Sequence, residues 1–584
     1  MYDKFPFVET GSSSECLLGW QAILAELEKH HAPVLCIECY PGVFVQEIQH
    51  ALAAFMPERH VFLAEDALLE ESKIEAAFGG LLGDDPVFGH MSQTQLSEFF
   101  DADKLRQMTA QIAACDHAVV LGTGATLMCS EPSLLVYADM ARWELQLRQR
   151  RQEIANLGLS NFEERPSLKY KRAFFLDWRA ADRTKARLLK EVDFLLDTNL
   201  LGQPKLISGE AFRRGLQKAT TQPFRVVPFF DPGPWGGHWM ERVCDLPDDG
   251  APNHAWCFDC VPEENSLLLG FGEHRVEIPS LDVVLQHPRE LLGEGVYHRF
   301  GAEFPIRFDF LDTVGGGNLS LQVHPLTSYI RATFGMEYTQ DESYYMLDAE
   351  EEAQVYLGLK TGIEPERMLA DLALAQMGET DFPAEQYVNQ FPARRHDHFL
   401  IPAGTVHCSG KGSMVLEISA TPYIFTFKLW DWGRAGLDGL PRPVHLEHGA
   451  RNIQWDRTTD WVERNLINQF VAVAEGEGWR EERTGLHELE FIETRRHWFT
   501  GTVSHHTRDT VCVLNLVEGE EAIVESPSGA FAQFLVHYVE TFIVPAAVGE
   551  FTIRPHGPSV GKQCATMLAY VRKPKQSSGA DDAK

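Results

Sequence analysis

Gln322 and His324 lie two residues apart in the alternating apolar run "NLSLQVHPLTSYI", Asn318 to Ile330. In a strand, residues i and i+2 share a face, so amide and imidazole project toward one point while Leu321 and Val323 pack behind them. Two further groups able to bind a metal follow. Glu342 heads the strand-like "ESYYMLDA", and His407 ends the turn in "HDHFLIPAGTVHCSGKGSMVLEIS". Two imidazoles, a carboxylate and an amide oxygen make a first-row metal site with a further position open to water or substrate. Taken singly, each residue has an ordinary reading, because a lone histidine on a strand is usually hydrogen-bonded or half exposed.

The order and wording of the surrounding motifs add to the spacing. "PWGGHWM" (234–240), "LSLQVHP", "ESYYMLDAE…VYLGLK" and "FLIPAGTVH…GKGSMVLEI" occur in succession. Together they resemble the signatures of class I mannose-6-phosphate isomerases, zinc enzymes of the cupin fold, over about residues 223–450. The resemblance implies that Gln322, His324, Glu342 and His407 are the ligands of one zinc per chain, with another divalent metal left open. It implies that Ser320 meets the substrate's phosphate and that Glu417, in "MVLEIS", is an active-site glutamate. Members of that family interconvert mannose 6-phosphate and fructose 6-phosphate by moving a proton between C1 and C2 through an enediol. The metal stabilises charge on the two oxygens, and a nearby base carries the proton.

Three cation positions of that family differ here. Its lysine upstream of the Gln/His pair falls on Asp309 in "PIRFDFLDT", its lysine two before the glutamate ligand falls on Gln340, and its strand arginine becomes Lys428 in "TFKLWDWGR". An aspartate expected just before that strand is replaced by Tyr423 or Ile424. A phosphate monoester, of charge about −1.5 to −2, needs cations or aimed amides. The metal half of the site is therefore intact in the sequence, and the substrate half is rewritten. Lys428, Arg434 and Lys411 are the expected clamp, with Lys428 and Arg434 placed beside Glu417 in the catalytic set. The alternative is a metal-bearing cupin that binds or senses a sugar, or isomerises another one, without turning over mannose 6-phosphate.

The elements that must position these residues form two textures. To about residue 200, strand-like runs ("APVLCIECY", "HVFLAED", "HAVVLGTGATLM", "LLVYADM", "RAFFLDW") alternate with charged helical stretches, the pattern of a parallel α/β sheet. From about 223, short strands and Gly/Pro turns predict β sandwiches or barrels. The expected units are an α/β domain over 1–205, a helical linker over 206–222 and a metal-binding cupin over 223–450. Over 451–584 a second cupin is expected, without a metal because it lacks a His-x-His followed by Glu and His. "EPERMLADLALAQMG" is a helical insertion in the first cupin. The closing "RKPKQSSGADDAK" lacks the apolar content to order itself.

Within the first unit, "VLCIECYPGVFVQEI" resembles a degraded phosphate-binding loop. Gly42 is kept, whereas the Lys-Ser/Thr pair reads Phe44-Val45. "LDWRAADRTKARLL" resembles the arginine-bearing segment of nucleoside and nucleotide kinases, with Arg179, Arg183 and Lys185 expected to be exposed. Without the lysine, phosphoryl transfer is not expected, which leaves packing, assembly or ligand sensing.

Composition narrows the partners. At 584 residues the chain exceeds one hydrophobic core and predicts about three or four units. A net charge of −32, from 84 acidic and 52 basic residues, disfavours nucleic acid and anionic membranes. It still admits a small sugar phosphate where local cations overcome the field. No basic-then-apolar leader pattern and no spanning apolar run is present, so the expected location is the cytoplasm. Eleven cysteines without framework spacing predict reduced thiols, and the pairs Cys36/Cys39 and Cys257/Cys260 read as buried free thiols rather than a zinc knuckle. His505 and His506, adjacent in a strand, should point to opposite faces. Homo-oligomerisation is left open.

Overall fold

The computed structural model describes residues 1–420, 423–485, 487 and 489–572; beyond Arg572, the polar tail read as unable to order itself lies outside the described residues. The first unit is built on a seven-stranded sheet. Its order is Cys16–Leu18, Lys205–Ser208, Phe194–Asp197, Leu134–Asp139, Val34–Cys39, Ala118–Gly122, His60–Leu63. The five strands from Phe194–Asp197 to His60–Leu63 run parallel, Lys205–Ser208 runs against them, and Cys16–Leu18, antiparallel to Lys205–Ser208, runs with them. Uninterrupted apolar strands such as "VLCIEC" and "AVVLG" suit a sheet covered on both faces. The first parallel strand, Val34–Cys39, sits in the middle, with later strands added on either side, so its carboxyl end is the switch point of the sheet.

One expected strand is helical. "RAFFLDW" falls in a continuous helical stretch made of Pro166–Arg172, a wide turn over Ala173–Asp177, and Trp178–Leu188. Phe174, Phe175 and Leu176 are all fully buried, and a short run buried on every side carries no period to tell helix from strand. The expected exposure of Arg179, Arg183 and Lys185 is also overturned. Lys185 is buried between Asp139 at 2.8 Å and Asp282 at 2.6 Å, and Arg179 pairs with Glu263. Arg183 donates to the carbonyls of Thr94 at 2.9 Å and Ser92 at 2.6 Å. Buried cations persist only when paired, and Asp282 and Glu263 arrive from distant sequence that no local pattern reveals.

The chain start is stitched to its later part. Phe7–Gly11 pairs in parallel with Ser266–Phe271, which continues to His274–Pro279. Helix Gly209–Ala219, capped by Ser208 Oγ accepting from Ala211 N at 3.1 Å, packs on this small sheet. A Cβ on its Gly215 would lie 2.9 Å from Leu269, so the expected connector is a packed element.

The metal-ligand motifs lie in a two-sheet sandwich. One sheet has the order His398–Ile401, Glu342–Ala349, Ser413–Ser419, Arg307–Asp312, Trp256–Cys260, Phe229–Asp231. The other has the order Val388–Pro392, Gln354–Leu359, His407–Ser409, Leu321–Val323, Phe427–Trp430. Helix Pro365–Gln376 is inserted between two strands of the second sheet. Backbone meets backbone where "PWGGHWM" passes the "VGGGN" turn: a Cβ on Gly316 would lie 1.4 Å from the Gly236 carbonyl oxygen.

A six-stranded and a four-stranded sheet form the last unit, between Val471 and Val571. The whole is multidomain, with helices and many sheets, consistent with a cupin-type fold for the β part. Cys36, Cys39, Cys257 and Cys260 are buried free thiols, and His505 is half-buried while His506 is exposed. No helix among the described residues is long and apolar enough to cross a membrane.

Candidate active site

Antiparallel register sets Gln322 opposite His407 on one side and Lys428 on the other. Glu342 opens a strand of the facing sheet. One ligand atom each of His324, Glu342 and His407 falls within 4.8 Å of the other two, and all three residues are buried.

The tautomers follow from the neighbours. His324 Nδ1 meets the Phe425 carbonyl at 2.8 Å and His407 Nδ1 meets the Thr405 carbonyl at 2.8 Å, so each ring donates there and turns the Nε2 lone pair inward. Those lone pairs face Glu342, whose Oε2 is 3.0 Å from His324 Nε2 and whose Oε1 is 2.8 Å from His407 Nε2. The contacts are close but misaligned as hydrogen bonds, and His324 Nε2 and Glu342 Oε1 have no hydrogen-bond partner.

Buried lone pairs confronting a buried carboxylate need a proton or a cation between them. Burial opposes protonation of His324, but Glu342 outweighs it and raises the pKa; the same pairing holds Glu342 well below the usual carboxylate range despite its burial. The Gln322 amide nitrogen stands 3.2 Å from His407 Nε2, and half a turn of the amide presents its oxygen instead. The donor set thus fits a divalent metal.

Gln340, two residues before Glu342, has a definite task. Its Nε2 donates to Glu342 Oε2 at 3.0 Å while its Oε1 accepts from Phe425 N at 2.9 Å. It links the carboxylate to the backbone residue that orients His324.

A cavity of ≈ 250 Å³ opens beside the cluster, lined by Gln322 and Gln340 and by Ser320, Arg307, Asp309, Glu417, Lys428 and Arg442. Cross-strand register puts Asp309, Glu417 and Tyr344 in one row of the larger sheet. Burial, then Asp309 and Glu342, push the Glu417 carboxyl well above its ordinary pKa. Asp309 accepts from Trp256 Nε1 at 3.1 Å and Arg307 Nη2 at 3.3 Å. Arg307 precedes Asp309 by two on the same strand face, so a cation absent at 309 reappears at 307. Among the described residues, Lys428 Nζ has no hydrogen-bond or ion-pair partner. Burial pushes its pKa down to about 7, with Arg442 adding and Asp431 opposing.

The expected clamp separates in space. Lys428 reaches the cavity. Arg434 stands behind it, donating to Asp431 Oδ1 from Nε at 3.0 Å and Nη2 at 2.7 Å and to the Asn318 carbonyl at 2.5 Å. Asp431 in turn accepts from Ser320 Oγ at 2.9 Å and Arg442 Nη1 at 2.7 Å. Lys411 is exposed and outside the cavity lining, its backbone N–H held by Asn318 at 2.8 Å. Sequence reasoning missed Arg307 and Arg442. Arg307 was readable from its i−2 relation to Asp309, whereas Arg442 lies in a returning loop with no spacing signal.

Residues 19–221 match the family described as a domain of unknown function, DUF8485. Along 348 residues the chain is 22% identical to mannose-6-phosphate isomerase of Bacillus subtilis, covering 58% of this chain and 98% of that protein. It is 28% identical over 217 residues to mannose-6-phosphate isomerase of Streptococcus mutans, covering 36% of this chain and 62% of that one. These relatives are mannose-6-phosphate isomerases. Among solved structures, mannose 6-phosphate isomerase from Bacillus subtilis aligns with a TM-score of 0.49 at 17% identity, over 60% of this chain and 99% of that chain.

Proposed function

We propose that the chain is a zinc-dependent aldose–ketose isomerase that interconverts mannose 6-phosphate and fructose 6-phosphate. The observation that carries this reading is the buried His324–Glu342–His407 cluster, with lone pairs turned inward, opening on a cavity that also holds Glu417 and Lys428. Gln322, His324, Glu342 and His407 would hold one zinc per chain, which supplies a Lewis acid for the carbonyl and neighbouring hydroxyl of the substrate. Glu417, its carboxyl pushed well above its ordinary pKa by burial and by Asp309, takes the proton at one carbon and returns it at the other. Lys428, Arg442 and Ser320 bind the phosphate, and Asp431 with Arg434 holds Arg442 and Ser320 in place.

Asp309 inside the cavity favours a second reading, a sugar phosphate other than mannose 6-phosphate. The N-terminal domain we read as a phosphate-binding fold that has lost its chemistry. A Cβ on Gly42 would meet Leu145 at 2.2 Å, and Arg148 donates to the Gly42 carbonyl at 3.0 Å, so protein groups hold that turn, while a cavity of ≈ 550 Å³ opens beside it with Phe44 and Val45 where the Lys-Ser/Thr pair would stand. The test is to incubate zinc-loaded protein with mannose 6-phosphate and, separately, fructose 6-phosphate and to follow interconversion. Turnover of neither, at one bound zinc per chain, overturns the mannose 6-phosphate assignment.

A further inference from the structure

The cavity beside the metal cluster is not closed by the β sandwich alone. Val87, Ser167 and Tyr170 line it, and all three belong to the N-terminal domain. Ser167 and Tyr170 are i and i+3 on helix Pro166–Arg172 and so share a face. The Tyr170 hydroxyl donates to Glu264, and its ring stacks on Tyr423 at 5.8 Å with 19° between planes. Tyr423 Oη donates to the Val87 carbonyl at 2.8 Å.

The next residue, Phe88, is buried in the sandwich and stacks on Phe425 at 5.4 Å and 14°. Phe425 is the residue whose carbonyl orients His324. The domain therefore reaches both the cavity wall and the backbone behind a metal ligand.

These contacts are pinned by buried ion pairs across the domain boundary. Arg142 bonds Asp182 at 2.6 Å within its own domain and also Glu263 of the β part. Lys185 does the same between Asp139 and Asp282, and Gln146 donates to Glu264 at 2.7 Å. These pairs fix which groups of the two domains meet, because a charge left buried at the boundary without its partner is costly. Arg179 and Lys185 of the arginine-bearing segment that resembles a nucleotide kinase thus bridge the two domains, while Arg183 bonds carbonyls of its own domain.

We infer that the N-terminal domain is a fixed wall of the catalytic cavity, with Tyr170 and Ser167 as specificity-determining residues that limit the site to one small sugar phosphate. The identity of the ligand rests on the isomerase reading; the wall itself does not. At ≈ 250 Å³ the cavity lies below the usual range of about 300–1,000 Å³ for ligand pockets, and Tyr170 and Tyr423 line it with aromatic rings suited to the carbon skeleton of a sugar.

The experiment compares full-length wild type with Tyr170→Ala, Tyr170→Phe and Ser167→Trp, all zinc-loaded. For mannose 6-phosphate, Tyr170→Ala and Ser167→Trp should each raise KM by about tenfold while kcat moves less than about threefold. Zinc content should match wild type, Tyr170→Ala should melt lower because Glu264 loses the Tyr170 hydroxyl and Tyr423 its stacking partner, and Tyr170→Phe should stay near wild type in KM. Zinc extraction by a chelator reads the same wall without turnover and should be about fivefold faster in Tyr170→Ala and slower in Ser167→Trp.

Wild type without turnover overturns the isomerase reading and leaves the extraction rates to decide the wall. Unchanged extraction rates, with KM within twofold of wild type where turnover exists, overturn the wall itself. Ser167 is exposed, so its variant tests the wall even if Tyr170→Ala fails to fold.

Discussion

Nε2 of His324 lies 3.0 Å from Oε2 of Glu342, buried and misaligned for a hydrogen bond, while the opposite nitrogen of the ring is committed to the Phe425 carbonyl. Removing either imidazole leaves a buried carboxylate with too few partners and a metal with too few donors. His324→Ala and His407→Ala should each bring zinc content from one per chain to well below that after dialysis. Both should also lose the stabilisation that a ligand bound only by the folded state provides, about 2.7 kcal/mol at a hundredfold excess over Kd. Metal analysis together with thermal unfolding at fixed zinc checks this; full occupancy in both variants would remove the proposed ligand set.

Gln340 gives a subtler variant, because it touches the ligand and not the metal. Its loss frees Glu342 Oε2 and Phe425 N together. Gln340→Ala should weaken zinc binding by about 10- to 100-fold, the usual cost of losing an outer partner of a ligand. Competition titration against a chromophoric chelator measures the change, and wild-type affinity would show that Gln340 only fills space.

Lys428 sets a pH dependence with a definite sign. Its pKa is pushed down to about 7 by burial, so the cation is present below that value and disappears above it. If Lys428 holds the phosphate, kcat/KM should fall as pH rises through about 7, the free-enzyme value. Lys428→Arg should carry the limb to much higher pH because guanidinium stays charged, and Arg442→Ala should raise KM without moving the limb. A limb rising through pH 7 would instead make Lys428 the proton acceptor.

His398 predicts acid lability. Burial, reinforced by Arg496, lowers its pKa to about 3, and a Cβ on Gly485 of the last β unit would lie 3.0 Å from its ring. The unfolded chain binds this proton near 6.5 and the folded chain only near 3. Stability is therefore unaffected well above pH 7 and declines as pH falls from 6.5 toward 3, by about 2 kcal/mol at pH 5. His398→Gln should shrink the difference in unfolding free energy between pH 7 and pH 5 by about that amount. An identical pH 7-to-5 difference in both proteins in denaturant titrations would exclude His398 as a contributor.

Local periodicity was enough for the α/β texture of the first part, the short strands after residue 223 and the shared face of Gln322 and His324, because neighbours in sequence impose these. Motif order was enough to name Glu342 and His407, which the structure joins to that face in one cluster. "RAFFLDW" failed for a reason intrinsic to one-dimensional reading: apolar on every side, it carries no period, and tertiary burial chose the helix.

The substrate side was decided by folding alone. Whether Lys428, Arg434 or Lys411 meets a ligand depends on which way a returning loop places each cation, and the fold kept one, anchored another behind Asp431 and left the third in solvent. Arg442 and Tyr170 enter the same cavity from positions 272 residues apart in the chain, a meeting no spacing rule encodes. Residue types determined which chemistry was available. Long-range packing, by fixing which buried charges find partners, decided where that chemistry is presented.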